Sequence, residues 1–139
     1  MKKLQTITIC VSLIMMVACE REDSLQPNTN KALLLGKWQL EKTIDEFYQP
    51  VNVLKAHEET PGEPGDSVVF KNDNQVYSYQ TVATGVDEEV YDYEWVTDSI
   101  IKVDGERYTI RKLTTTTLVL YKEETDNNGR DVEIGIFMR

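Results

Sequence analysis

Between Val90 and Tyr121 the chain reads VYDYEWVTDSIIKVDGERYTIRKLTTTTLVLY, and this stretch constrains the fold more than any other. Tyr91, Tyr93 and Trp95 alternate with Asp92 and Glu94. A period of two sends successive side chains to opposite faces of a strand, so the three rings share one face and the acids the other. Further strands are predicted at Ser99–Val103, Arg107–Lys112 and Thr117–Lys122. Asp104-Gly105 joins two of them, and a type I′ turn needs positive φ at both central positions, which Asp and Gly tolerate. These segments make an antiparallel meander whose apolar face the rest of the chain must cover.

Charge and cysteine usage narrow the partners. Of 139 residues, 24 are Asp or Glu against 15 Lys or Arg, a formal net charge of −9. Cutting away residues 1–18 would remove Lys2 and Lys3 and no acid, leaving −11. Such a surface repels nucleic acid and anionic head groups, so no nucleic-acid partner is expected. Both cysteines, Cys10 and Cys19, precede the strands, so the folded region has neither a disulfide nor a cysteine-based metal site. No cofactor is implied.

The N-terminus carries an address. Met1-Lys2-Lys3 is a short positive segment, and Ile7 to Ala18 is an apolar run too short to span a bilayer. Met16-Val17-Ala18-Cys19 resembles the lipobox of bacterial lipoproteins. The resemblance implies cleavage between Ala18 and Cys19, acylation of the Cys19 thiol and attachment to the bilayer through several acyl chains, palmitate among them. Several chains anchor stably where one is marginal. Glu20-Arg21-Glu22-Asp23 resembles the export tag of surface lipoproteins of Gram-negative bacteria. It implies an outer-membrane location, with cell-surface exposure where the tag acts. The expected organisation is a signal peptide over 1–18, a lipidated cysteine with a flexible tether over 19–30, and one β domain over 31–139.

In chain order, a helical turn is expected over Lys31–Leu35, ending at Gly36. Gly36-Lys37-Trp38 then opens a strand through Gln39–Asp45, with Trp38, Leu40, Lys42 and Ile44 in one phase. A helical turn followed by Gly-x-Trp resembles the start of the lipocalins and their short relatives. In that family the tryptophan plugs the closed end of the barrel beneath a basic residue of the last strand, a role the resemblance gives to Arg139. Phe47 to Gly65 reads as a long loop, and Glu58–Asp66 as neither strand nor helix, because two prolines and two glycines break both. Lipocalins carry a lid loop at this place; a solvated acidic loop is the plainer reading. His57 sits here as a surface histidine without the nitrogen and sulfur partners that a zinc site needs.

Strands follow at Ser67–Lys71, Gln75–Val82 and Asp131–Met138, with turns at Asn72-Asp73-Asn74 and Asp126-Asn127-Asn128-Gly129. The phase of Gln75–Val82 is open, since valines lie on one side and Tyr77 and Tyr79 on the other. Asp126, Asn128 and Asp131 faintly resemble a calcium loop but lack the bidentate glutamate, so no metal is expected. The expected fold is all-β: an antiparallel up-and-down meander closing into a lipocalin-like barrel of about eight strands, with a two-sheet β-sandwich as the alternative. Inward candidates are Trp38, Leu40, Val68, Phe70, Tyr91, Tyr93, Trp95, Tyr108, Ile110, Leu118, Leu120, Ile134 and Ile136.

A catalytic triad or dyad needs a histidine held beside a nucleophile, and the sole histidine lies in the predicted loop, so no enzyme is expected. Two functions remain. One is binding of a small apolar or aromatic molecule, with Trp38, Tyr91, Tyr93, Trp95 and Tyr108 supplying ring surface and Lys42 meeting an acid group of the guest. The other is an interaction or structural lipoprotein with a filled core, whose outer face binds a protein or glycan through exposed tyrosines such as Tyr48, Tyr77 or Tyr79.

Overall fold

The computed structural model describes residues 27–139. Ala18, Cys19 and the acidic cluster after them lie outside the described residues. The chain begins with helix α1 (Pro27–Leu34), so helical structure reaches into the segment expected to be a tether. Proline suits the first helical position, where its missing N–H would have no partner.

Nine strands follow: β1 (Gly36–Tyr48), β2 (Leu54–Pro61), β3 (Ser67–Phe70), β4 (Gln75–Val82), β5 (Gly85–Thr97), β6 (Ile100–Val103), β7 (Glu106–Leu113), β8 (Thr117–Thr125) and β9 (Arg130–Met138). Each of β3 to β8 pairs with the next, β1 pairs with β3, and β9 pairs back onto β1. That closure makes an eight-stranded antiparallel barrel, not a sandwich, and it leaves those strands without free edges. β2 is the extra strand. It runs beside the later half of β1, from Lys42↔Pro61 to Tyr48↔Leu54, while β3 takes the first half, from Gly36↔Phe70 to Gln39↔Ser67.

The predicted loop is therefore partly strand. All eight residues of β2 are exposed, and β2 is bonded to β1 alone. A strand paired on one side tolerates a terminal proline, because no second neighbour asks for its N–H. His57 lies on this ribbon, between Glu46 at 3.2 Å and Glu59 at 3.5 Å.

Turn chemistry follows the sequence. Asp104 and Gly105 both have positive φ, 51° and 83°, as a type I′ turn requires. Asn74 closes the β3–β4 turn at φ 65°. Asp126 accepts the N–H groups of Asn128 and Gly129, so its carboxylate shapes the β8–β9 turn.

Pairing and burial define the two faces. Leu40 lies opposite Phe137, but Lys42 lies opposite Ile136, so Glu41 is a β-bulge that inverts the phase of β1. Trp38 and Leu40 point inward before it, and Thr43, Asp45 and Phe47 after it. The inward places expected for Lys42, Ile44, Ile134 and Ile136 are thereby corrected. On β9 the barrel is lined by Glu133, Gly135 and Phe137, while Ile134 and Ile136 form an outer stripe with Ile44, Val119 and Tyr121. On β4 the inner residues include Val76 and Ser78, cross-strand from Phe70 and Val68. The core unites Leu34, Trp38, Phe70, Tyr93, Ile101, Leu118 and Phe137, with Leu34, Trp38, Ile101 and Leu118 fully buried.

Candidate functional site

One end of the barrel is shut. Leu34 of α1 is buried against the core, and the Trp38 indole N–H donates to the Leu34 carbonyl at 2.8 Å. The Arg139 guanidinium lies 3.9 Å over the Trp38 ring. It donates to the carbonyls of Leu33 (2.7 Å), Leu35 (2.9 Å) and Thr115 (2.9 Å). Gly36 makes room for this: its φ is +109°, and a Cβ there would stand 3.2 Å from an Arg139 nitrogen. Arg139 thus has the part that the family resemblance implies, a basic cover on the plugging tryptophan.

The barrel above this plug is hollow. A cavity of about 410 Å³ is lined by Leu40, Val68, Phe70, Val76, Val103, Leu120 and Phe137, together with the rings of Tyr91 and Tyr108. Ligand pockets typically fall between about 300 and 1,000 Å³. Gly135 contributes room, since a Cβ there would press on the Phe137 ring at 2.7 Å. Toward the open end a second recess of about 260 Å³ adjoins, bounded by Asp45, Phe47, Glu58, Lys122, Glu124 and Asp131. Glu133 is the residue the two spaces share.

The charged layer follows from register. Asp45 on β1 and Lys122 on β8 both lie opposite Glu133 on β9. The Lys122 ammonium bonds Glu106 on β7 and Glu124 on β8, the latter at 3.0 Å. These two carboxylates push its pKa well up. The Glu133 side chain is exposed, but partial desolvation by the barrel wall lifts its carboxyl above its ordinary range; Lys122 opposes the rise, and Asp45, Glu106 and Glu124 add to it. Burial also raises the Tyr108 hydroxyl, and the Glu133 charge acts in the same direction.

The residues singled out from sequence divide accordingly. Tyr91 and Tyr108 line the cavity. The Tyr91 hydroxyl donates to Glu89. Tyr93 is buried beneath the cavity floor, edge-on to Phe70 at 5.1 Å, with its hydroxyl on the Lys71 carbonyl at 2.8 Å. Trp95 packs half-buried against the core, and Trp38 is the plug. Lys42 stands on the outer face, its ammonium 2.7 Å from Glu59, because the Glu41 bulge turns it out. Tyr77 lies on the outer side of β4, with the Lys71 ammonium 3.5 Å over its ring, and Tyr79 borders the cavity. Glu133, Lys122 and Phe137 were missed. Their signal was present, in Leu118, Leu120 and Lys122 sharing one phase on β8.

These features define a class: a closed antiparallel barrel with one sealed end and a hollow interior reached from the other. No family model matches the chain, and no curated protein matches it. Among solved structures, a bovine odorant binding protein, a deswapped triple mutant, is similar with a TM-score of 0.46 and 13% identity, over 77% of this chain and 74% of that one.

Proposed function

We propose that the chain is a membrane-anchored, non-catalytic lipoprotein whose barrel holds one small apolar or aromatic molecule. The cavity of about 410 Å³ behind Tyr91 and Tyr108 carries this reading. Its walls offer apolar area and ring faces for the guest, and hydroxyls on Ser78 and Thr43 to orient it.

The Met16-Val17-Ala18-Cys19 lipobox and the acidic residues after it support anchoring through Cys19 in the outer membrane. Seven residues lie between Cys19 and Pro27, so the span of eight residue steps reaches at most about 28 Å. α1 sits at the sealed end beside Trp38, so the tether joins the barrel at the end away from its mouth. Cys19→Ser moves the protein from the detergent phase to the aqueous phase if the thiol carries the lipid; unchanged partitioning removes the anchor.

The binding test is titration with the neutral fluorophore N-phenyl-1-naphthylamine. Saturable one-to-one uptake is expected, and Leu120→Trp, which fills the cavity, abolishes it. Uptake that does not saturate, or that survives L120W, overturns the reading.

A further inference from the structure

We propose that the guest is an organic cation, an ammonium or amidinium group on an apolar or aromatic body, and that Glu133 is its counter-charge. The inference rests on the small-molecule reading of the same cavity and names the guest's chemistry. The cavity has polarity along its length. Its deeper part is walled by Leu40, Val68, Phe70, Leu120 and Phe137, and its upper recess by Asp45, Glu58, Glu124 and Asp131. Glu133 stands where the two meet, so a guest lying lengthwise sets its body among the apolar walls and its head at this carboxylate.

Glu133 is free to serve. It forms no ion pair among the described residues. Lys122 stands directly across β8–β9 from it, yet its ammonium is engaged by Glu106 and Glu124. The groups that act on Glu133 are Asp45 from β1, Glu106 from β7, and Lys122 and Glu124 from β8. With Glu133 itself, that is four carboxylates around one ammonium. Glu133 is solvent-exposed on this wall, and a carboxylate held among like charges gains from an incoming cation.

An acidic guest finds no partner here. Lys42 is on the outer face with Glu59, and Lys122 is doubly occupied. The faces of Tyr91 and Tyr108, both on the cavity wall, are further acceptors for a cation. The acids at the mouth raise the local concentration of cations and steer them inward, in a salt-dependent way.

The test is isothermal calorimetry at pH 7 with three indoles of like size: tryptamine, 3-ethylindole and indole-3-propionate. Tryptamine is expected to bind about tenfold or more tighter than 3-ethylindole, with indole-3-propionate weakest. Glu133→Gln brings tryptamine to the level of 3-ethylindole and leaves the neutral compound unchanged. Lys122→Met, which frees Glu106 and Glu124, tightens tryptamine further. Binding of 3-ethylindole or indole-3-propionate as tight as that of tryptamine, or a preference that survives E133Q, overturns the cation proposal and spares the small-molecule reading. Binding of none of the three overturns both.

Discussion

Arg139→Ala tests the closed end quantitatively. The guanidinium makes one cation–π contact with Trp38 at 3.9 Å and three hydrogen bonds, to Leu33, Leu35 and Thr115. The first two carbonyls belong to the helix and its exit, the third to the β7–β8 turn, so a single side chain ties α1 to the barrel. A partly exposed cation–π pair is worth about 1 kcal/mol. Each hydrogen bond competes with water at this exposed site and nets about 0.5 kcal/mol, the low end of the usual range. Losing the set costs about 2–3 kcal/mol, which in a domain of this size lowers Tm by about 10 °C. Arg139→Lys keeps the charge over the ring but loses the planar fork, and it recovers less than half of the loss.

The assay is thermal unfolding followed by near-ultraviolet dichroism, which reports the packing of Trp38. N-phenyl-1-naphthylamine uptake at 25 °C serves as a second readout. Because the clamp lies at the sealed end, R139A loses stability with little change in uptake by the molecules still folded. A Tm within about 2 °C of the parent refutes the clamp, since it leaves no room for even one of the four contacts. A normal Tm with lost uptake would place Arg139 at the binding end instead.

Two further outcomes follow from the interior. Gly135→Ala pushes a methyl against the Phe137 ring, 2.7 Å from its nearest carbon, and is expected to cost about 1–3 kcal/mol by overpacking and to weaken uptake as the ring turns into the cavity; unchanged chemical denaturation removes the claim. Glu133→Gln is expected to be more stable than the parent at pH 7, with the difference closing below about pH 4. The folded chain holds the Glu133 proton more tightly than the unfolded chain does, so its ionisation works against folding as pH rises past the ordinary carboxyl value. Melting curves from pH 3 to pH 8 that stay parallel for the two proteins would contradict this.

How far the sequence carried the fold depends on where each constraint lies. Strand periodicity is local, so Tyr91, Tyr93, Leu118 and Leu120 fell on the inner face as expected. The Asp104-Gly105 turn is local too. The inversion of β1 is not. Glu41 has no feature that marks a bulge; its carbonyl accepts the Gly62 N–H at 2.9 Å, and a Cβ at Gly62 would run into the Leu40 carbonyl. The kink is thus shaped partly by a glycine that follows β2, in a stretch that reads as a loop. One unread residue turned Lys42 outward. Likewise, Ile134 and Ile136 look like core because β-branched residues suit either face of a strand, and only pairing with Leu40 and Leu118 shows that Phe137 is the inner one.

The same inversion links fold to function. Without the Glu41 bulge, Lys42 would continue inward from Trp38 and Leu40 and set an ammonium in the layer above Phe137. With it, that place goes to Thr43, the next inner residue is Asp45, and Lys42 neutralises Glu59 on the outside. The bulge therefore decides the sign of the interior as well as the direction of a strand. It replaces one basic group by one acidic group beside Glu133, which is exposed and forms no ion pair among the described residues. An empty barrel built this way carries a folding penalty from its own carboxylates. A cationic guest relieves that penalty on entry, so affinity for the cation and instability of the empty barrel share one electrostatic origin.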